Sequence, residues 1–495
     1  MKRISAANLE GRERPTPRII QFGEGNFLRA FMDWKIDRMN EVAGTDFGVV
    51  VVRPIDGGIP FSLNDSDGVY TAVTRGVNLD GKPVSNFRQV ACIRKEMSAV
   101  SDWKDVLSMA RNTDFATVIS NTTEAGITYV PDCKLQDEPP ASFPAKVTRL
   151  LFERFNSCGG NSAPGFQFLP CELIDKNGDN LEKTVLQHAR DWELPTEFLD
   201  WIGTHSAFYN TLVDRIVPGY PRDEAKALEE ELGYQDPLMV AAELFHFLVI
   251  EKRESQPELF LPLAEHDEGT LITHNADDYK ERKVAILNGA HTGFCPLALL
   301  SNTETVQAAI DHPTGSAFLK GMLEDEIIPF LSLPKEELDE FSTEVLRRFA
   351  NPYIKHRWYD ISLNGIAKFQ TRNLPRFESY TAAYGKPPRR MALSLAAWLI
   401  YYTGAFDHAT DLPARDADDV IAKFEVLKTI KQVDGTDAMI RAFLSEETFW
   451  GKSIASKALV TLVSEALTFL QAEPLTLDRL KEWVGQDAEL CPQLH

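Results

Sequence analysis

A glycine-rich turn near the N-terminus constrains the fold of this chain more than any other feature. The sequence Gly23-Glu24-Gly25 joins an apolar, β-type run over residues 18–22 to a segment with helical periodicity. Gly23 permits a tight turn, and Gly25 lets the backbone approach a pyrophosphate, whose charge the N–H groups of the following helix stabilise. The usual third glycine is replaced by Leu28. An ordinary strand–helix turn is the alternative, but the position after the first predicted strand favours a nucleotide site.

The rest of the first half alternates strand-like and helical segments, which predicts a parallel sheet with right-handed crossovers. The run over 47–53 is almost continuously β-branched, as expected for a strand that is buried on both faces. Further predicted elements are strands at 18–22, 116–120 and 166–172, and helices at 26–40 and 144–155. After about residue 290 helical spacing dominates, with predicted helices over 315–331, 334–349, 389–403 and 455–471.

These patterns predict an α/β protein with two domains. Residues 1–235 should form a Rossmann-like, doubly wound parallel sheet that binds a dinucleotide. Residues 236–495 should form a mostly α-helical C-terminal domain that binds the substrate. We place the boundary near 219–240. A short β-like stretch over 283–286 is predicted to return to the first domain, somewhere within 275–287.

The charge balance limits the kinds of partner that the chain can bind. The 495 residues include 52 basic and 73 acidic side chains, which gives a net charge of -21. That charge disfavours nucleic acid as a partner, and an anionic ligand needs a local basic site. No apolar run is long enough to cross a bilayer, so no membrane contact is expected. The N-terminal residues do not resemble a secretory signal. The sequence leaves the oligomeric state open.

The cysteines are scattered and form no C-x-x-C pair. This pattern disfavours a disulfide framework and a cysteine-based zinc site, and it fits a reducing, cytoplasmic location. No metal site is predicted. The six residues are Cys92, Cys133, Cys158, Cys171, Cys295 and Cys491.

Polar residues after the next strands complete the predicted cofactor site. An acidic residue after the second strand, such as Asp56, accepts hydrogen bonds from ribose hydroxyls and repels a 2′-phosphate. Arg53 can instead stack on adenine, pair with that phosphate or remain a solvated charge, so these residues leave NAD against NADP open. Asn121 and Thr122 follow the third strand and can face the nicotinamide ribose, or form a plain polar loop. The predicted contacts are Ile20, Gly23, Gly25, Asn26, Phe27, Arg53, Asp56, Asn121 and Thr122.

Lys283, Asn288 and His291 are the densest group of chemically useful side chains. If a helix begins near Asn288, then Asn288 and His291 share a face, and Lys283 lies on the entering strand or turn. A buried lysine beside an imidazole and an amide can act as general acid and base without a metal. The amide can donate to a carbonyl oxygen as charge develops on it. A surface lysine, a capping asparagine and a packed histidine are the alternative.

Two further groups are candidate substrate contacts. Asn177 follows the fourth strand and can place an amide at the mouth of the sheet, although Asn177-Gly178 is first a turn signal. Basic residues gather in the C-terminal half, and we predict that Arg348, Lys355 and Arg372 bind a substrate carboxylate, which suits the guanidinium geometry. Solvated helix faces are the alternative.

Three ordered motifs resemble the mannitol dehydrogenase family of polyol-specific long-chain dehydrogenases. The loop GEGNFLRAF is similar to the family's G-x-G-x-F-H-R-A-H element, with Leu28 and Phe31 in place of its histidines. Residues 213–218, VDRIVP, match the V-D-R-I-x-P signature. Lys283, Asn288 and His291 match the catalytic K-x4-N-x2-H spacing. The resemblance covers nearly the whole chain.

The resemblance implies an activity and assigns roles to residues. It implies NAD rather than NADP, and reversible, metal-independent reduction of the keto group of tagaturonate to altronate in hexuronate catabolism. Lys283 would be the acid/base, Asn288 and Asn177 would polarise the keto oxygen, and His291 would orient the substrate or the lysine. Leu28 and Phe31 favour tagaturonate over fructuronate. Fructuronate reduction, hexitol 2-dehydrogenation and an inactive nucleotide-binding regulator are the alternatives.

Overall fold

A computed structural model describes residues 1–9, 11–54, 61–123 and 125–485. The chain divides into two compact units. The first comprises Met1–Arg75 and Val84–Ala276, and the second comprises Gly76–Pro83 and Asp277–His495. Among the described helices, none combines the length and apolar character that a membrane span requires.

Twelve strands are present in the described part of the chain, and six of them form the central sheet of the first unit. The strands in chain order are Pro17–Phe22 (β1), Gly48–Arg53 (β2), Tyr70–Val77 (β3), Pro83–Val90 (β4), Ile93–Ser98 (β5), Thr117–Ser120 (β6), Gln167–Pro170 (β7), Ala207–Phe208 (β8), Asn210–Asp214 (β9), Val240–Glu243 (β10), Phe247–Glu251 (β11) and Thr270–Thr273 (β12).

The central sheet is parallel and has the order β5-β2-β1-β6-β7-β8. Numbered along the chain within this sheet, that is 3-2-1-4-5-6, the doubly wound Rossmann order. The order reverses between β1 and β6, so the crevice for a ligand opens at their carboxyl ends. The predicted α/β class is confirmed. Its strongest sequence signal, β2, is buried at every position except the last, Arg53.

The other six strands form two three-stranded sheets, in the orders β10-β3-β4 and β12-β11-β9. Three strands that follow the predicted boundary near 219–240, namely β10, β11 and β12, belong to the first unit. The helices of this unit are Ala6–Leu9, Asn26–Ala30, Met32–Ala43, Leu63–Ser66, Trp103–Met109, Phe143–Ser157, Gly160–Ser162, Asn177–Asp191, Thr196–His205, Ala225–Leu232 and Leu263–His266. The helix predicted over 26–40 is therefore two helices, because the backbone of Phe31 (φ -123°) leaves the helical conformation.

The second unit is helical. Its helices are Asp277–Arg282, Lys283–Asn288, Gly289–Leu300, Val306–Asp311, Pro313–Gly321, Met322–Ile327, Ile328–Phe330, Lys335–Phe349, Trp358–Ile361, Gly365–Arg372, Leu374–Tyr384, Arg389–Thr403, Asp418–Asp434, Thr436–Ser445, Glu447–Trp450, Lys457–Ala472, Leu477–Arg479 and Leu480–Gly485.

The predicted β-like return at 283–286 is wrong, because this stretch is helical. It lies within one continuous run of helix that begins at Asp277 and ends at Leu300, and Lys283–Asn288 is a π-helix within it. Ala285, Ile286 and Leu287 are all buried. A short apolar run of this kind does not distinguish a buried strand from a buried helix.

Candidate active site

The glycine turn lies where the order of the central sheet reverses. Gly23 follows β1 with φ +118°, a backbone conformation that residues with a side chain rarely adopt. Its N–H donates to Val52 O over 3.1 Å. A Cβ on Gly23 would lie 3.2 Å from the backbone oxygen of Asn121, which follows β6. A Cβ on Gly25 would meet no atom within 4 Å. The turn therefore presents backbone at the crevice, as a pyrophosphate site requires.

Two buried arginines hold the loop and the short helix that follow this turn. Arg29 donates to Glu24 O over 3.1 Å and to Asn26 Oδ1 over 2.7 Å. Arg215, from the V-D-R-I-x-P segment, donates to Ala30 O over 2.6 Å, and burial lowers its pKa to about 10. The sequence motif thus has a structural basis, because its arginine binds the last carbonyl of the helix Asn26–Ala30.

A buried carboxylate organises the ends of β6 and β7. Glu172 accepts hydrogen bonds from Ser120 Oγ (3.1 Å) and from the backbone and hydroxyl of Thr122 (2.9 and 3.0 Å). Burial raises the pKa of Glu172, against the lowering effect of these donors. Asn121 donates to Cys171 O over 2.6 Å. The sequence did not single out Glu172 for this role, although it is the last residue of the strand predicted over 166–172.

The remaining predicted cofactor contacts differ in their surroundings. Arg53, at the end of β2, lies 3.4 Å from Glu96, and this carboxylate disfavours a 2′-phosphate nearby. Asp56 lies outside the described residues. Ile20 is fully buried in the core of the sheet, so its side chain supports the fold. Phe27 is half-buried and stacks on Phe31, with ring centroids 5.0 Å apart.

The amide of Asn177 is fully engaged inside the first unit. Its Nδ2 lies within hydrogen-bonding distance of Pro170 O (2.9 Å), Glu172 O (3.1 Å) and the hydroxyl of Thr211 (3.1 Å). Its Oδ1 accepts from the backbone N–H groups of Gly178 and Thr211. Both amide hydrogens have acceptors in the protein, so the geometry does not support the predicted role of polarising a keto oxygen. Asn177 instead ties the carboxyl end of β7 to β9.

In the second unit, the π-helix Lys283–Asn288 determines which side of the helix the side chains of Lys283 and Asn288 occupy. The N–H of Gly289 contacts Val284 O, five residues back. A π turn closes over five residues, so it brings residue i+5 back to the side of residue i, whereas an α-helix leaves the two about 140° apart. Lys283 and Asn288, both half-buried, are five residues apart. His291 follows three residues later in α-helix and shares a face with Asn288.

His291 is buried among aromatic rings. Its ring stacks on Phe349 with centroids 4.1 Å apart, and it meets His356 edge-on at 4.8 Å. Its Nε2 makes no hydrogen bond to any residue within the described ranges. Burial lowers the pKa of His291 well below its ordinary value, and the positive charge of nearby side chains lowers it further. These side chains are His356, Arg348, Arg372 and Lys368.

The structure therefore gathers some of the predicted basic residues and adds others. Arg348 and Arg372 act on His291, whereas Lys355 is exposed. Lys368, another of the basic residues in the C-terminal half, lies on the same helix as Arg372, and its pKa is lowered by burial and by the charge of Arg372. We call Arg348, Lys368 and Arg372 the cationic cluster. Within the described residues, no set of three or more His, Cys, Asp or Glu side chains is arranged to hold a metal ion.

The sheet order and the glycine turn define a Rossmann-type nucleotide-binding fold, and comparison with known proteins identifies its family. Residues 17–261 match the Rossmann domain of mannitol dehydrogenases, and residues 275–471 match the mannitol dehydrogenase C-terminal domain. The chain belongs to the mannitol dehydrogenase family, as the sequence motifs indicated.

Similar relatives include two altronate oxidoreductases. The protein of Escherichia coli (strain 536 / UPEC) is 43% identical over 456 residues, which is 92% of this chain and 94% of the relative. That of Enterobacter sp. (strain 638) is 45% identical over 442 residues, 89% of this chain and 91% of the relative.

Two solved structures share the fold. A D-sorbitol dehydrogenase in substrate-free form has a TM-score of 0.73 at 22% identity, over 88% of this chain and 99% of that one. The mannitol 2-dehydrogenase of Pseudomonas fluorescens, in a ternary complex with NAD and D-mannitol, has a TM-score of 0.66 at 21% identity, over 98% and 100%.

Proposed function

We propose that this chain catalyses the reversible, NAD-dependent reduction of the keto group of tagaturonate to altronate. The observation that carries the proposal is that the three cations of the cationic cluster surround His291. His291 lies on the helical run that also bears Lys283 and Asn288. The names of the relatives that cover most of the chain support it. The substrate is a small sugar acid, and the free cysteines of the described residues suit a reducing cytoplasm.

The residues of the first unit fit a dinucleotide. Gly25 would lie against the pyrophosphate, because a Cβ there would meet no protein atom within 4 Å and the backbone is open to a ligand. Gly23 would permit the tight turn that presents it. Thr122 and Asn121 would lie toward the nicotinamide ribose at the end of β6. Glu96 beside Arg53 favours NAD over NADP, because its charge repels a 2′-phosphate. When bound, NADH supplies the hydride that adds to the keto carbon.

Lys283 acts as the general acid in the reduction. As the keto carbon gains the hydride, the electrons of the carbon–oxygen double bond move to oxygen, and a proton passes there from Lys283 Nζ. The neutral amine regains its proton from solvent. In the oxidation, Nζ accepts the hydroxyl proton. The Asn288 amide donates to the same oxygen and stabilises its developing charge.

His291 and the cationic cluster orient the sugar acid. Neutral His291 offers one donor and one acceptor to sugar hydroxyls. Arg348, Lys368 and Arg372 bind the carboxylate, whose charge the overall field of a chain with net charge -21 repels. A neutral hexitol or ketose has no group to offset this cluster, so the cluster argues against hexitol 2-dehydrogenation.

The test is the rate of NADH oxidation with tagaturonate, fructuronate and a neutral ketose. We expect the highest kcat/KM with tagaturonate, a lower value with fructuronate and the lowest with the neutral ketose. NADPH should support slower turnover than NADH. If kcat/KM were higher for the neutral ketose than for tagaturonate, the cationic cluster would not bind a substrate carboxylate. If it were higher for fructuronate than for tagaturonate, the substrate would be fructuronate.

A further inference from the structure

One short segment, residues 372–376, binds the helical run that bears Lys283, Asn288 and His291 at three points. We call it the clamp segment. Arg372 Nη1 lies 3.1 Å from Thr292 Oγ1, next to His291. Asn373 Nδ2 donates to Gly289 O over 2.9 Å, next to Asn288. Arg376 Nη1 pairs with Glu281 Oε1 at 2.5 Å, two residues before Lys283.

Each contact point therefore lies one or two residues from a proposed active-site residue, and together they bracket the π-helix. π-helices occur mostly as single turns within α-helices, and they persist where surrounding contacts favour them. If Lys283–Asn288 relaxed to α-helix, the helix that follows it would rotate about the helix axis by about 100° relative to the helix that precedes it. Lys283 would then no longer face the side of Asn288 and His291.

Asn373 is the central member of the clamp segment. Its side chain is completely buried, and its approach depends on Gly293, where a Cβ would lie 3.3 Å from Asn373 Nδ2 and 2.8 Å from Met322 Sδ. Its Oδ1 is buried and has no hydrogen-bond partner among the described residues. Burying an unpaired acceptor is costly. An amide at this position is explained if the hydrogen bond from its Nδ2 to Gly289 O offsets the cost of the unpaired Oδ1.

We propose that Asn373 is a positioning residue that fixes the π turn, and thereby holds Lys283 and Asn288 on one side of the helix for proton transfer. The ion pair of Arg376 with Glu281 holds the other end of the turn. This inference rests on the proposed function only for its consequence in turnover. The local structural effect is measurable whatever the substrate is.

The main test is Asn373→Asp, which keeps the shape of the side chain and puts a carboxyl oxygen in place of the donor. Burial raises the pKa of a carboxyl, and a protonated carboxyl could still donate to Gly289 O. We therefore compare the two proteins over a pH series that extends into the alkaline range, where the carboxylate can only accept. We expect kcat for tagaturonate to fall by about 10- to 100-fold, the scale of a small misplacement at the reacting centre. The KM for NADH should stay unchanged. Amide hydrogen exchange should accelerate within residues 283–292 more than elsewhere.

The matched control is Asn40→Asp, because Asn40 Nδ2 also donates to a backbone carbonyl, Phe47 O, over 2.9 Å, but in the first unit. It should leave kcat and exchange in residues 283–292 unchanged. If Asn373→Asp is poorly folded, the charge swap Arg376→Glu with Glu281→Arg replaces it. Each single change should lower kcat, and the pair should recover it.

The outcomes separate the two claims. Normal kcat in Asn373→Asp, or an increase in exchange spread evenly over the second unit, overturns the positioning role. Failure of the charge swap to recover kcat also contradicts it. Absence of tagaturonate turnover in the unmodified protein overturns the proposed function, while faster exchange confined to residues 283–292 in Asn373→Asp still supports the clamp.

Discussion

The imidazole ring of His291 meets that of His356 edge-on, with the ring centroids 4.8 Å apart. Both rings sit in a buried setting, and burial lowers the pKa of each. The positive charges of Arg348, Arg372 and Lys368 act in the same direction on His291. A second cation there would be repelled, so His291 is neutral when the site is free of an anion.

The titration of His291 follows from this arrangement. In the free protein its ring should stay neutral where an ordinary histidine, with a pKa of about 6.5, takes up a proton. Altronate should raise the pKa of His291, because its carboxylate offsets the cationic cluster. NMR of nitrogen-labelled protein measures the pKa of His291 without and with altronate, and the variant His291→Gln assigns the signal. An equal shift with a neutral hexitol would place the carboxylate elsewhere.

Lys283→Ala should lower kcat by roughly 10²-fold or more, the scale of a lost general acid. Binding of NADH, followed by fluorescence, should change little because in the proposed mechanism the lysine acts on the keto oxygen of the substrate. Lys335→Ala is the control, since Lys335 is exposed and pairs with Asp339 along its own helix. If Lys283→Ala retained near-normal kcat, Lys283 would be an ordinary surface lysine.

The cationic cluster should discriminate between charged and neutral substrates. Arg348→Ala should reduce kcat/KM for tagaturonate by about 10- to 150-fold, which corresponds to the loss of a charge-assisted hydrogen bond worth about 1.5–3 kcal/mol. The same variant should change kcat/KM for a neutral ketose little. Lys355→Ala, at an exposed position, should have a smaller effect than Arg348→Ala. Equal losses on charged and neutral substrates would show that Arg348 supports the fold instead.

Asp33 gives the protein a stability that depends on pH. It is fully buried beneath the glycine turn, where Gln21 Nε2 contacts both Asp33 Oδ2 and Gly23 O at 3.1 Å. Burial raises the pKa of Asp33 to about 7. In the unfolded chain an aspartate has a pKa of about 3.9, so between these two values the folded state binds more protons. Stability therefore falls as pH rises through this window and levels off above it.

Asn in place of Asp33 removes this contribution and keeps an acceptor for Gln21. The unfolding free energy of Asp33→Asn, relative to the unmodified protein, should rise by up to about 4 kcal/mol across that window and then stay constant. Denaturant unfolding at a series of pH values measures the difference. Parallel curves for the two proteins would mean that Asp33 does not titrate in this range.

Reductase activity should survive exhaustive chelation. In the proposed mechanism Lys283 gives a proton to the keto oxygen and Asn288 donates a hydrogen bond to it, so no zinc ion is needed to polarise the carbonyl group. Activity is measured after dialysis against a chelator, with and without added zinc. Loss of activity on chelation, restored by zinc, would contradict the lysine mechanism.

Local patterns were sufficient to predict much of this molecule. The β-branched run that became β2, and the glycine turn after β1, reflect constraints that act within a few residues. Together with the helical spacing of the C-terminal half they gave the α/β class correctly. The matching spacing of Lys283, Asn288 and His291 gave the family.

Other features depend on residues far apart in the chain. Glu172 and Glu96 matter because their partners, Thr122 and Arg53, come from neighbouring strands. The π-helix was missed because its neighbours in space are five residues apart, a period that hydrophobic spacing does not reveal. The side chain of Ile20, a predicted cofactor contact, is fully buried in a core whose members come from distant parts of the chain.

The central claim is that this protein reduces tagaturonate with hydride from NADH. The most direct measurement uses NADH deuterated at both C4 positions and identifies the product by NMR and mass spectrometry. The account predicts altronate with one deuterium on the carbon that carried the keto group, formed in step with NADH oxidation. Absence of altronate, or altronate without deuterium at that carbon, would contradict it.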